Sequence, residues 1–149
     1  EQCKQSSGAQ KSFYLGYLTH LLTDIFWVDK IVRPSKEKFR ALYERNRNEW
    51  IWTLKKDWYD LDFLFLRQHP DFRAFCLYEK TAGFRNEFLD FFAADAFDVR
   101  REYICCFYRG GREGLDREYL YLTKQEMDCF VAECAGEIGK SEYWGILKG

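Results

Sequence analysis

A histidine and an aspartate four residues apart, His20 and Asp24, interrupt an apolar run from Phe13 to Val28 that holds no other charged side chain. Four residues is close to one helical turn, so both fall on one side of a helix. Gly16 lies a turn earlier on the same line, with Tyr17, Thr23 and Trp27 beside it. An imidazole and a carboxylate in that register make half of a chelating site for zinc or a similar ion. The same two groups also satisfy each other with no ion, the imidazole bonding to the carboxylate a turn away. A buried carboxylate without a partner is costly. The sequence therefore predicts that His20 and Asp24 face inward and touch each other or a shared ion.

Asp62 is the second unusual acid. It lies a turn from both Trp58 and Leu66, within the apolar arc of the segment Glu49 to Gln68, whereas Asp60 falls nearer the charged side with Glu49 and Lys56. Asp62 is the candidate third metal ligand, with a salt bridge to a lysine or arginine as its other reading, and Asp57 is a weaker choice. His69, the one other histidine, precedes Pro70 at a helix end and reads as an exposed terminal residue. The six cysteines, Cys3, Cys76, Cys105, Cys106, Cys129 and Cys134, show no CxxC or other recurring metal or redox spacing and read as reduced structural residues. No GxSxG, Walker loop or GxGxxG is present, so no catalytic nucleophile or phosphate cradle is assigned.

Helices must position these residues. Glu1 to Gly8 is a polar lead-in, and the first helix should run from about Ala9 to Val32, where Pro34 stops it and Ser35 can cap the next. Phe39, Leu42 and Tyr43 give that second helix an apolar side, with Asn46 and Asn48 its weak point. Trp50, Leu54, Trp58, Leu61 and Phe65 stripe a third helix from Glu49 to Gln68, ended by Pro70. A short helix capped by Asp71 should reach Glu79, and a long one should run from Arg85 to Tyr108, stopped by Gly110 and Gly111. Tyr119 to Leu122 reads as an extended lead-in. Thr123 with Glu126 forms a capping box for a last helix from Lys124 to Ile138, and Tyr143 and Trp144 sit in the tail.

The chain of 149 residues is long enough for one domain with a real core, and 47% hydrophobic residues with only two prolines favour helices. The expected fold is all-α, a single-domain multi-helix bundle over residues 1–149 with the first helix at its centre, touching both the Glu49 to Gln68 helix and the long one. The 23 basic and 24 acidic residues nearly cancel and are mixed along the chain, which argues against nucleic acid as a partner. The apolar run is too short and too interrupted for a transmembrane segment, no signal peptide is visible, and the cysteine usage points to the cytoplasm.

The words FYLGYLTHLLTDIFW resemble the corresponding helix of the bacterial zinc-dependent phospholipase C family, above all its short members, and DWYDLDFLFL and the all-helical length extend a looser likeness. The resemblance implies that His20 and Asp24 bind zinc at a site hydrolysing phosphate esters, with a small phosphate ester or lipid headgroup as substrate. This chain departs from that pattern. It has Lys30 where the family has a histidine, no later His-x-x-x-Glu pair, and no histidine before Phe13. Two readings follow: a zinc-dependent phosphoric ester hydrolase with an incomplete site formed by His20, Asp24 and Asp62, or a noncatalytic helical binding protein that keeps the fold.

Overall fold

A computed structural model of the chain describes residues 8–140. Its regular elements are helices: α1 (Gly8–Trp27), a π-helical turn (Val28–Val32), α2 (Arg33–Lys38), α3 (Arg40–Arg45), α4 (Arg47–Gln68), α5 (Arg73–Lys80), α6 (Ala96–Arg109) and α7 (Lys124–Lys140). No strand occurs among the described residues, so the all-α expectation holds. The chain divides into two compact units, one of residues 8–57 and 118–140 and one of Trp58–Arg117, and the division falls inside α4.

In the first unit, Pro34 does not stop the helical path. It sits in the first turn of α2, where the missing N–H would have had no intrahelical partner. The turn before it widens to π form, and the Arg33 N–H donates to the Val28 carbonyl. A real break comes at Phe39 (φ −113°, ψ 33°), and a second at Asn46 (φ −155°, ψ 92°). Asn46 Oδ1 accepts from the Glu49 N–H at 3.1 Å and so caps α4. α7 opens with the expected capping box: the Thr123 N–H donates to Glu126 Oε2 at 2.7 Å, and the Glu126 N–H donates to Thr123 Oγ1 at 3.2 Å.

The core of this unit is Ile31, Trp50, Leu54, Leu122, Phe130, Cys134 and Ile138. None of these belongs to α1, which buries no residue at all. That corrects its expected place as the central helix. α1 meets α7 along one side only, where Trp27 sets its ring edge-on to Phe130 at 5.2 Å and Thr23 lies against Cys134. Tyr143 and Trp144 of the tail lie outside the described residues, as does Cys3.

In the second unit, the last turns of α4 bring Leu61, Phe63 and Leu64 into the core with Leu115. Phe63 packs on Phe107 and Tyr108 of α6 at 5.2 and 5.1 Å. The long helix expected from Arg85 is shorter than predicted, because Asn86 diverts the chain. Its Nδ2 donates to the carbonyls of Leu89 and Phe92, its Oδ1 accepts from the N–H of Phe88 and Leu89, and its own N–H donates to Ala94. An asparagine that takes so many backbone groups offers the segment a better arrangement than a helix. α5 likewise begins after Phe72 with no side-chain cap, so Asp71 does not play the role expected of it.

Asp57 ties α4 to the connection before α7. Its buried Oδ2 accepts from the backbone N–H of Tyr121 at 2.8 Å and of Leu122 at 3.2 Å. Asp57→Ala should strand both donors and cost about 2–3 kcal/mol in urea unfolding, while Asp57→Asn, which keeps an acceptor, should cost less. Equal losses for the two would show that the carboxylate is not acting as this cap.

Candidate functional site

The notch read from the sequence forms in part. α1 places His20 Nε2 3.4 Å from Asp24 Oδ2, so the pair meets across one turn as its spacing requires. Its surroundings differ from expectation: the two side chains are 66% and 63% exposed rather than inward. The reason is the narrow seam between α1 and α7, which takes Thr19, Thr23 and Trp27 and leaves the His20 and Asp24 side toward solvent. Gly16 adds space but no contact, for a Cβ there would meet nothing within 4 Å.

Asp62 belongs to the other compact unit. Its carboxylate accepts from the Tyr108 hydroxyl at 2.7 Å, which ties α4 to α6, and it carries no lysine or arginine salt bridge among the described residues. Among the described residues no group of three or more histidine, cysteine, aspartate or glutamate side chains is arranged to hold a metal ion. Zinc sites are built from three or four protein ligands. The exposed pair of donors on α1 therefore does not by itself fit the ion that the family resemblance implies. His69 is exposed at the end of α4, with its ring 4.5 Å from that of Phe65. Cys76, Cys105, Cys106, Cys129 and Cys134 are free thiols.

The acids that hold structure are ones the sequence reading ranked lower. Asp60, expected on the charged side of α4, is buried. Arg112 Nε stands 2.5 Å from its Oδ1 and Arg117 Nη2 stands 2.6 Å from its Oδ2. Both arginines lie in the connection that follows α6, over fifty residues away in sequence, and no local pattern names them. Asp57 and Asp60 are three apart, so they share one side of α4. That recurrence, with Trp50, Leu54, Leu61 and Leu64 around it, was the available signal.

Burial pushes the Asp62 carboxyl up to about 6, against the smaller opposing pull of the Tyr108 hydrogen bond. Burial first, and then the adjacent Asp62 carboxylate, raise the Tyr108 phenol above its ordinary value. The folded chain thus holds the Asp62 proton more firmly than the unfolded chain does. The resulting stability is complete below about pH 4 and is lost as pH rises through about 6, a fall of about 3 kcal/mol. Asp62→Asn should flatten this part of the profile of urea midpoint against pH. The same slope in wild type and variant would refute the assignment.

No protein-family model, characterised protein or solved structure matches this chain.

Proposed function

We propose that the chain is a noncatalytic helical binding protein whose contact surface is the apolar side of α1. The supporting observation is that this helix of 20 residues, the most apolar stretch of the sequence, buries none of them. Leu21, Ile25 and Val28 stand 42%, 57% and 42% exposed. Their spacing of four and three makes a continuous stripe on the helix, and exposed apolar stripes of this kind are used to dock into grooves of partner proteins. His20 and Asp24 flank the stripe and give it a polar rim, as interface cores usually have. No helix among the described residues is long and apolar enough to cross a membrane.

Zinc-dependent hydrolysis of phosphate esters is the second reading. It is favoured by one observation, the accessible His20 and Asp24 pair at 3.4 Å. It ranks second because a hydrolytic zinc site uses three protein ligands and a water, and this pair supplies two.

A photo-crosslinking residue placed at Ile25 should capture one defined protein in cells, and one placed at exposed Glu44 should not. Leu21→Lys with Ile25→Lys should abolish that capture while leaving the melting temperature within about 2–4 °C of wild type, as expected for exposed positions. Stoichiometric zinc in the purified chain, with turnover of a phosphodiester that Asp24→Asn abolishes, would overturn the binding reading in favour of the hydrolase.

A further inference from the structure

A cleft of about 310 Å³ opens between the segment Val28–Lys38 and α7, entirely within the first compact unit. Its size is at the small end of ligand pockets, which run from about 300 to 1,000 Å³. Ile31, Leu122 and Phe130 give it an apolar base. Ser35 also lines it and is 6% exposed. The Ser35 hydroxyl is buried and meets no hydrogen-bond partner among the described residues. A buried donor left unmade is destabilising, so a group that completes it gains free energy from doing so. The π-helical turn brings Lys30 and Ile31 to the wall, and single π turns within helices often accompany functional sites.

The rim carries both signs of charge. At one end Lys30 Nζ is held by Glu133 Oε2 at 2.8 Å, a closed pair. At the other end Lys38 Nζ stands 3.7 Å from Glu126 Oε1, beyond hydrogen-bonding distance. The second oxygen of Glu126 is committed to the N–H and hydroxyl of Thr123 at 2.7 Å each, so Oε1 is the atom turned to the cleft's cation. Ser35 and Lys38 are three apart on α2, which places hydroxyl and ammonium on one face. Ser35 is thus buried in the wall of the cleft, with Lys38 Nζ and Glu126 Oε1 at its rim.

We propose that this cleft binds a free α-amino acid with an apolar side chain. The ligand carboxylate accepts from the Ser35 hydroxyl and the Lys38 ammonium, its ammonium donates to Glu126 Oε1, and its side chain lies over Ile31, Leu122 and Phe130. A carboxylate alone would engage Lys38 and leave Glu126 without its cation. An amine alone would do the reverse. A molecule that carries both charges on one carbon replaces the loose Lys38 and Glu126 pair without leaving either unpaired. The proposal does not depend on what contacts the face of α1.

The test is an NMR-detected titration of the whole chain with L-leucine and L-phenylalanine, beside isocaproate and isoamylamine, which keep the side chain of leucine but carry one charge each. The amino acids should saturate in the millimolar range or below, and the two analogues should bind at least about tenfold more weakly. Ser35→Ala should weaken amino-acid binding about tenfold while the ligand-free melting temperature holds or rises, because the unmade hydroxyl is gone. Glu126→Gln keeps the capping box and removes the charge, so it should weaken binding with helix α7 intact. Absence of saturable binding, isocaproate binding as tightly as leucine, or both variants binding like wild type would each overturn the proposal.

Discussion

Burying a carboxylate is costly in any protein, and α4 buries Asp57 and Asp60 and half-buries Asp62, each met by a different kind of partner. Asp57 accepts from two backbone N–H groups, Asp60 is ion-paired with two guanidinium groups, of which Arg117 donates to its Oδ2, and Asp62 accepts from one phenol. The first holds the chain entering α7, so the unit that contains it depends on an acceptor within an apolar seam. The second recruits Arg112 and Arg117 and thereby fastens the segment after α6, which Gly111, at φ +72°, allows to turn. Arg67 and Asp116 add a two-pronged exposed pair beside it, at 2.9 and 2.5 Å, worth less because water competes for both groups. Asp62 has neither a cation nor a pair of backbone donors among the described residues, and burial pushes its carboxyl up to about 6.

Several helix ends were legible in side chains adjacent to them in sequence, although Pro34 and Asp71 do not act as their positions suggest. Thr123 with Glu126, Asn46, Pro70 and the glycines after α6 act within a few residues of themselves, and each lies at or beside the boundary it predicts. A polar side chain that competes for nearby backbone groups overrides apolar spacing. Phe88, Phe91 and Phe92 recur at helical spacing, yet Asn86 gathers that stretch around its own amide, and Phe91 stands 65% exposed. The buried side of α4 was misplaced by a small drift of period: Trp50, Leu54, Asp57, Leu61 and Leu64 share it, rather than the line through Trp58 and Phe65. The sequence makes Asp57 the weaker candidate ligand and places Asp60 nearer the charged side, and the partners of both lie too far along the chain to be seen in a local pattern.

The proximity of His20 and Asp24 was readable, because four residues on a helix bring two side chains together whatever surrounds them. Their surroundings were not readable. Hydropathy states what a side chain would gain from burial and does not name the surface that buries it. Among the described residues α1 packs chiefly on α7, whose own buried line of Phe130, Cys134 and Ile138 is a single narrow row. One row covers one seam, so the helix keeps Leu21 and Ile25 exposed and its other apolar side chains no more than half-buried. The strength of the sequence signal at α1 and its lack of burial are thus the same fact, an excess of apolar surface over what the described residues supply to cover it.

The continuity of the path through Pro34 has a structural consequence beyond the helix count. A proline in a helix ordinarily removes a backbone bond and pushes the preceding residue out of helical angles. Arg33 nevertheless stays helical, at φ −63° and ψ −50°, because the preceding turn widens and the Arg33 N–H reaches the carbonyl of Val28, five residues back. Widening a turn changes the angular position of every side chain that follows. Ile31 and Ser35 are both buried across the join, although one lies before the proline and one after it. The side of the path that faces α7 therefore carries an apolar group and then a hydroxyl, and the hydroxyl arrives where no backbone carbonyl completes it. The same adjustment that lets the helix survive its proline thus leaves a polar atom unmade in an apolar wall, a local inconsistency of the kind that foldable sequences retain chiefly at functional positions.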